Sequence, residues 1–447
     1  MYKKIILVNF FVFILLFIFF SIILEFYLRS NLKLNYAYLA QYSKELSSEI
    51  SKKLNLRKKE NMIIYENEQG LRFAVDPPLT KLHVPQDITD IKLGAIEDIE
   101  TDKNGFCNKN IDYEKKIKIL GIGDSFTWCL AVKAEQTWPQ LLKDNLNNSG
   151  YNISLPGLNP VDYVNFLKQF GLKYKPEIVI LNVYEGNDIN VPKTLLPKDN
   201  FQTDISISEA YYENKWSKYS SQIYRFLINS DIFKRSYVLN LYMVYVRKSI
   251  VIIESALFKT TRTNPDFQKK YNFKYTIKHM GKNISFNSAN DDLDEIKYAL
   301  DLTKGKVSLD ELWGPAIEEF VNLSIEHNFK PIIIYSPAAY TAYSNNIEFE
   351  DKNLENLMKN FSNIQRNWLK KKSNSLNLKF IDPIPTFLNM NQKISLTHFP
   401  SNRHYTIMGH KLLAEIIENN VFAVFATWGA CEKDLWGLVN TAETWQK

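Results

Sequence analysis

Short apolar runs alternate with helical patterns over much of this 447-residue chain, from about residue 116 to residue 417. Five runs are rich in β-branched residues and have the length of buried parallel strands. They are Lys116–Gly121, Asn152–Leu155, Glu177–Val183, Pro331–Tyr335 and Lys379–Ile381. Because parallel strands need crossover helices, the alternation predicts an α/β fold of three layers, with a five-stranded parallel sheet between helices.

The predicted helices lie between these strands, at 138–146, 161–174, 312–327, 354–376 and 406–417. One connection, residues 191–309, is too long for a plain loop in a compact domain. It contains Tyr237–Val246, an apolar run of ten residues, which is too short to span a bilayer. A helical insertion packed over the sheet is the favoured interpretation. The alternative is a helix on a membrane surface, with the basic pairs at 234–235 and 247–248 near lipid headgroups.

The segment Ile5–Leu24 contains twenty consecutive residues without a charge. Twenty helical residues span about 30 Å, which is the thickness of a bilayer core. The run leads into Glu25 without the small-residue cleavage site of a signal peptide. We therefore expect a single-pass anchor embedded in the lipid bilayer through residues 5–24, with a removed signal peptide as the alternative. The short basic leader favours a cytoplasmic N-terminus and an extracytoplasmic main domain.

These features divide the chain into four predicted parts. The anchor covers residues 1–29, and a stalk and lead-in segment covers 30–110. The α/β domain covers 111–420, with the insertion at about 191–309. A tail follows over 421–447, where three of the eight tryptophans of the chain lie in an Ala-rich setting.

Charge and histidine spacing bear on possible partners. The net charge is only +6, and no basic block alternates with aromatic residues, so we expect no nucleic-acid partner. His398, His404 and His410 recur every six residues, a spacing that suits neither a helix face nor alternate strand positions. We therefore expect no metal and no cofactor.

The three cysteines are Cys107, Cys129 and Cys431. Their spacing fits neither a zinc site nor a CxxC motif. We expect three unpaired buried thiols. A disulfide between Cys107 and Cys129 is the alternative if the domain lies outside the cytoplasm.

The sharpest local motif is Gly-Ile-Gly-Asp-Ser-Phe-Thr at 121–127, directly after the first strand. A dinucleotide fingerprint would need a third glycine where Phe126 stands, so that interpretation fails. The motif instead places Ser125 at a strand-to-helix turn, at the sheet edge where α/β proteins bind their ligands. Asp124 is interpreted as a turn residue rather than as a second catalytic acid.

Three further blocks follow later strands. Gly157 comes after the second strand, Asn187 after the third, and Asn402-Arg403-His404 precedes the last helix. Because the carboxyl ends of parallel strands meet at one edge of a sheet, we expect these residues to converge on Ser125.

This order of blocks resembles the SGNH (GDSL-type) hydrolase family. Residues 104–106 and 135–139 also resemble the membrane-anchored bacterial branch of that family. The resemblance covers about residues 100–420 and rests on the blocks at 123–127, 156–157, 186–188, 404 and 409–410. It implies the flavodoxin-like fold of that family and a serine esterase. It also implies that Ser125 is the nucleophile and His404 its base, and that Ser125, Gly157 and Asn187 form the oxyanion hole.

One position departs from the family pattern, because Asn402 stands where the family normally has an aspartate. Three outcomes stay open. Asn402 orients His404 and belongs to the catalytic set; or Glu185 or Asp188 takes the place of the acid. In the third outcome the site is inactive and the protein binds a glycan or a partner without catalysis.

The resemblance and the anchor together imply a substrate class. An acylated carbohydrate of the cell envelope, such as one carrying acetyl esters, is the expected substrate. Transfer of an acyl group to a sugar hydroxyl would use the same residues and stays open as an alternative.

Overall fold

The computed structural model describes most of the chain, namely residues 2–32, 43–57, 61–84, 98–108, 117–145, 150–190, 230–243, 245–246, 274–286 and 291–436. The chain forms two compact units. The smaller comprises residues 1–64, 81–85 and 197–272, and the larger comprises 65–80, 86–196 and 273–447.

The strands are named in chain order. They are β1 (Ile63–Glu66), β2 (Arg72–Val75), β3 (Lys81–His83), β4 (Asp98–Glu100), β5 (Ile119–Gly123), β6 (Gly150–Asn152), β7 (Ile178–Tyr184), β8 (Tyr275–His279), β9 (Lys282–Phe286), β10 (Lys330–Ser336), β11 (Ile347–Phe349) and β12 (Lys379–Ile381).

The α-helices are named in the same way. They are α1 (Tyr2–Ser30), α2 (Lys44–Lys53), α3 (Trp138–Asn145), α4 (Pro160–Phe166), α5 (Asp231–Arg235), α6 (Asp291–Thr303), α7 (Leu309–Leu312), α8 (Gly314–His327), α9 (Ala339–Ala342), α10 (Lys352–Ser375), α11 (Ile384–Met390) and α12 (Ile407–Trp436).

The larger unit is built on a parallel sheet whose strands lie in the order β12-β10-β7-β5-β6. Each neighbouring pair is parallel. Counted along the chain, this is the doubly wound order 2-1-3-4-5. All residues of β5 and β7 are buried, because helices flank the sheet and cover these central strands. The structure confirms the predicted α/β fold with a five-stranded parallel sheet.

Some element boundaries differ from the predicted ones. The second strand was predicted at 152–155, whereas β6 ends at Asn152. Its pairing with β5 continues for one more bond, since Ile153 N donates to Gly121 O at 3.0 Å. The helix predicted at 161–174 is divided into α4, a π-turn and a 3₁₀ turn.

The predicted insertion is not helical throughout. β8 and β9 form an antiparallel hairpin, and β11 pairs with β8 on its other side. The turn of this hairpin places Met280 and Gly281 at φ 47° and 78°, the left-handed values of a type I′ turn. The alternating residues of β8 were the available strand signal, which the long apolar run elsewhere in the insertion obscured.

Part of the predicted stalk and lead-in segment belongs to the larger unit and packs on its α/β core. The ring of Phe73 on β2 meets the rings of Phe166 and Phe170 at 5.4 and 5.5 Å. The Asn108 side chain bonds both the N–H and the carbonyl of Asn152 on the edge strand β6. Residues 65–80 and 98–108 thus cover one edge of the α/β core.

In the smaller unit, the part of α1 at Val8–Ser30 is long and apolar enough to cross a membrane. No other helix in the described part of the chain meets this condition. Length and composition alone support this assignment, and a signal sequence has the same properties. At the other end of the chain, α12 continues without a break through Val421, where the predicted tail begins.

The prediction of three unpaired thiols is wrong, because Cys107 and Cys129 form a disulfide with their Cα atoms 6.1 Å apart. Both residues are fully buried. The sequence offered this pairing only as the alternative, because it is the folding of the lead-in segment onto the α/β core that brings Cys107 beside the loop after β5. The disulfide ties these two segments together.

Replacing both cysteines by serine should lower the free energy of unfolding by about 3 kcal/mol, because the disulfide closes a loop over 22 residues in the unfolded chain. Urea denaturation of the detergent-solubilised protein measures this loss. A reductant should destabilise the wild type and leave the double variant unchanged. Equal midpoints for both proteins under oxidising conditions would contradict the prediction.

Candidate active site

Ser125 lies in a tight turn at the carboxyl end of β5. The turn is closed by the backbone, since Thr127 N and Trp128 N donate to Asp124 O at 3.1 and 3.0 Å. Gly123 allows this closure, because a Cβ atom there would lie 2.1 Å from Thr127 Oγ1. Ser125 itself is only 7% exposed. The turn therefore presents one hydroxyl at the edge of the sheet and leaves it little freedom.

The neighbouring Asp124 is fully buried. Its carboxyl group accepts a hydrogen bond from Phe126 N at 2.8 Å, and its other oxygen lies 3.3 Å from Ser125 Oγ. Burial raises the pKa of Asp124 to about 7, although these contacts oppose the shift. The contacts are those of a turn residue that holds the loop around Ser125 in place.

His404 contacts the serine directly. Its Nε2 lies 2.8 Å from Ser125 Oγ, and its Nδ1 lies 2.8 Å from the backbone carbonyl oxygen of Asn402. A carbonyl can only accept a hydrogen bond, so the proton belongs on Nδ1 and the lone pair of Nε2 faces the serine hydroxyl. This is the tautomer that a general base for Ser125 needs.

Asn402 orients the ring through its main chain rather than through its side chain. Its Oδ1 accepts from His404 N at 3.0 Å, which leaves the backbone carbonyl to hold the imidazole. Between the two residues, Arg403 has φ 59°, a left-handed conformation that strains a side-chain-bearing residue. Arg403 N donates to Phe399 O at 2.8 Å and closes this turn. The group that holds the imidazole is thus a peptide carbonyl.

The two alternative acids lie elsewhere. The Glu185 carboxylate accepts from Ala338 N at 2.9 Å and from Thr341 Oγ1 at 2.6 Å. The Asp188 carboxylate accepts from the Tyr163 hydroxyl at 2.6 Å. Both residues are buried in these contacts, so neither orients His404.

An aromatic residue covers the imidazole. The ring of Phe126 stacks on that of His404, with centroids 4.7 Å apart, and on that of Tyr184 at 3.7 Å. Burial lowers the pKa of His404 to about 4, with the Asn402 hydrogen bond acting in the opposite direction. This role of Phe126 was not predicted from the sequence, although an aromatic residue beside the serine was the available signal.

The predicted oxyanion residues follow the two strands that flank β5. Gly157 lies after β6 and Asn187 after β7, the strands on either side of β5. Gly157 has φ 72°, a conformation that favours glycine. Asn159 Nδ2 donates to Asn190 O at 2.6 Å and ties the two loops together. The Oδ1 atom of Asn187 accepts no hydrogen bond from the described residues.

The other two histidines of the six-residue series are apart from this site. His398 Nε2 bonds Pro337 O at 3.2 Å, and His410 Nδ1 accepts from Trp138 N at 3.4 Å. Burial lowers the pKa of each to about 3. Over the part of the chain that the structure describes, no group of three His, Cys, Asp or Glu residues could hold a metal ion.

No family model and no curated protein matches the chain. Solved structures do match it. A protein described as a lipolytic protein of the G-D-S-L family from Desulfitobacterium hafniense is 15% identical, covering 68% of this chain and 98% of that protein, with a TM-score of 0.33. An acetylxylan esterase from Geobacillus stearothermophilus is 12% identical over 69% and 94%, with a TM-score of 0.31.

A protein described as an acylhydrolase from Bacteroides fragilis is 10% identical, covering 76% of this chain and 99% of that protein, with a TM-score of 0.32. At these values the likeness is weak. The roles proposed below therefore rest on the contacts of Ser125 and His404.

The lowered pKa of His404 predicts a neutral ring throughout the physiological range. With a folded-state pKa near 4, the ring gains its proton only as the pH falls through that value. The chain has six histidines, so ring-¹⁵N labelling can resolve them. We expect a protonated Nδ1 and a bare Nε2 at pH 7, assigned by loss of the signal in His404→Gln. A His404 titration near pH 6.5 would contradict the structure.

Proposed function

We propose that this protein is a serine esterase of the SGNH type, with Ser125 as nucleophile and His404 as base. The observation that carries the proposal is the chain of contacts from Asn402 O through the imidazole to Ser125 Oγ, with both distances at 2.8 Å. A binding module has no need of a serine hydroxyl aligned with a neutral, oriented imidazole.

The reaction follows from this geometry. Ser125 Oγ attacks the carbonyl carbon of the ester, and His404 Nε2 takes the hydroxyl proton. The oxyanion that forms is stabilised by donors from Ser125 N, Gly157 N and the Asn187 side-chain amide, each worth about 3–4 kcal/mol in comparable enzymes. His404 then gives its proton to the leaving alcohol. Water, activated in the same way, attacks the acyl-enzyme and releases the acid.

Without a carboxylate behind His404, this reaction should be slower. During the attack His404 becomes a cation, and a peptide carbonyl stabilises that cation through its dipole only. Each pKa unit by which the base is weakened corresponds to about 1.4 kcal/mol. We infer a slower enzyme than one with an aspartate, yet one that keeps its base neutral in acidic surroundings.

For the substrate, we infer ester-linked acyl groups on carbohydrate of the cell envelope, with acetyl esters first. Two observations support an extracytoplasmic domain tethered to a membrane by α1. One is the apolar length of Val8–Ser30. The other is the Cys107–Cys129 disulfide, since disulfides persist in oxidising compartments.

The Ser125→Ala variant should lose esterase activity by at least about 10³-fold, because the acyl-enzyme cannot form. Hydrolysis of p-nitrophenyl acetate by the full chain in detergent measures this. Ser154→Ala is the matched control, since Ser154 is a buried serine whose hydroxyl bonds no described residue. A fluorophosphonate probe should label the control and not Ser125→Ala. Equal rates for Ser125→Ala and the wild type would refute the proposal.

Two substitutions of Asn402 separate its backbone role from its side chain. Asn402→Ala keeps the carbonyl that holds Nδ1, so kcat/KM should fall by less than about tenfold. Asn402→Asp adds a negative charge beside the ring and should raise the pKa of His404 above about 4.

The direction of the pH shift follows from the active form of the base. Only neutral His404 accepts the serine proton, so activity declines as the pH falls through the pKa of that ring. The acid limb of kcat/KM should lie below pH 6.5 in the wild type and move upward in Asn402→Asp, with a faster rate above pH 7. Loss of activity in Asn402→Ala as large as that in Ser125→Ala would show that the amide side chain, not the carbonyl, orients the base.

A further inference from the structure

In the smaller unit, α1 is exposed along most of its length but not on every side. Ile14 and Ser21 are half-buried and Leu28 is fully buried, although their neighbours along the helix are exposed. These positions are seven residues apart, which is two helical turns, so they lie on one face. That face packs against another part of the chain, within the apolar length of α1.

The partner of this face is the apolar helix, residues 237–243 and 245–246. Tyr237 and Val238 share a buried core with Leu28 of α1. Further along, the Tyr242 hydroxyl lies 2.9 Å from Ser21 Oγ, and its ring stacks on that of Phe17 at 5.4 Å. The two helices therefore run side by side, with later residues of the apolar helix meeting earlier residues of α1.

A carboxylate from α1 fixes where the apolar helix begins. Glu25 accepts from Tyr237 N at 3.2 Å, from Val238 N at 2.9 Å and from Ser236 Oγ at 2.9 Å. Ser236 Oγ in turn accepts from Leu239 N at 3.1 Å. The free N–H groups of a helix start favour a negative charge, so Glu25 both caps the apolar helix and holds it against α1.

The contacts also indicate how deep in the membrane the apolar helix lies. Glu25 and Arg29 lie near the outer end of the membrane-spanning candidate Val8–Ser30. Ser21 and Phe17 come four and eight residues before Glu25, which places them about 6 and 12 Å further along the axis. A side chain that contacts both, as Tyr242 does, lies at the same depth as the apolar part of α1.

The outer side of the apolar helix suits lipid. Between residues 237 and 246 there is no charge. Leu239 and Val246 are 37% and 50% exposed. The basic residues Lys234 and Arg235 precede its start, and the Arg29 side chain donates a hydrogen bond to the carbonyl of Arg235. Cations at a helix end and tyrosines near it are typical of the headgroup layer.

We propose that the apolar helix enters the outer leaflet of the bilayer beside α1, with Leu239 and Val246 against lipid acyl chains. The inference rests on the proposed role of α1 as a membrane anchor. The uncharged run has ten residues, about 15 Å of helix, which reaches only partway through a bilayer core. The smaller unit is then anchored in the membrane by two packed helices, and the apolar helix fixes the rotation of α1 about its own axis.

Spin labels on the full chain in phosphatidylethanolamine–phosphatidylglycerol vesicles test this. In a Cys431→Ser background, single cysteines are placed at Val246 and Leu239 on the apolar helix, at Phe19 on α1, and at Ile325 on α8. Phe19 and Ile325 are 56% and 77% exposed, so both accept a label. Oxygen, which concentrates in lipid, and a water-soluble nickel chelate report the surroundings of each label. Fluorophosphonate labelling of Ser125 shows that each variant is folded.

We expect the ratio of oxygen to nickel accessibility at Val246 and Leu239 to exceed that at Ile325 severalfold and to approach that at Phe19. Labels at Val246 and Leu239 that match Ile325, while Phe19 is in lipid, would overturn the inference and leave the anchor intact. Labels shielded from both reagents would overturn it in favour of a helix covered by protein. A Phe19 label exposed to water would instead overturn the anchor itself.

Discussion

The imidazole of His404 connects Ser125 to the turn at Asn402. One ring nitrogen faces the Ser125 hydroxyl and the other is held by the carbonyl of Asn402, each at 2.8 Å. Both bonds are needed for a working base, since the second sets the tautomer that makes the first useful. The left-handed Arg403 turns the chain so that the peptide carbonyl of Asn402 reaches His404 Nδ1.

The parallel sheet provides the rigidity that this contact requires. Ser125 follows β5, and the flanking strands β6 and β7 carry the loops of Gly157 and Asn187. The Asn159–Asn190 hydrogen bond joins those two loops, and the disulfide ties the chain after Ser125 to the lead-in segment. The proposed oxyanion donors, held in this way, would need no rearrangement when charge develops on the ester oxygen, which is how oxyanion sites lower a barrier.

Much of the fold and of the site could be predicted from local patterns. Apolar β-branched runs such as β7 and β10 are identifiable without tertiary information, because a strand buried on both faces is apolar throughout. The Ser125, Gly157, Asn187 and His404 blocks follow their strands in order, so the edge of the sheet that carries them could be predicted. Harder features were the β8–β9 hairpin and the pairing of Cys107. The first has a weak local signal, and the second depends on how a distant segment packs.

The sequence by itself determined the α/β class, the apolar length of α1 and the residue types available for chemistry, because these depend on periodicity and composition along the chain. Tertiary structure decided which atom of Asn402 serves His404, and that Glu25 of α1 caps a helix more than two hundred residues away. It also excluded Glu185 and Asp188 as partners of the base. Such choices depend on backbone turns and on packing between distant segments, and no local pattern of residues encodes either.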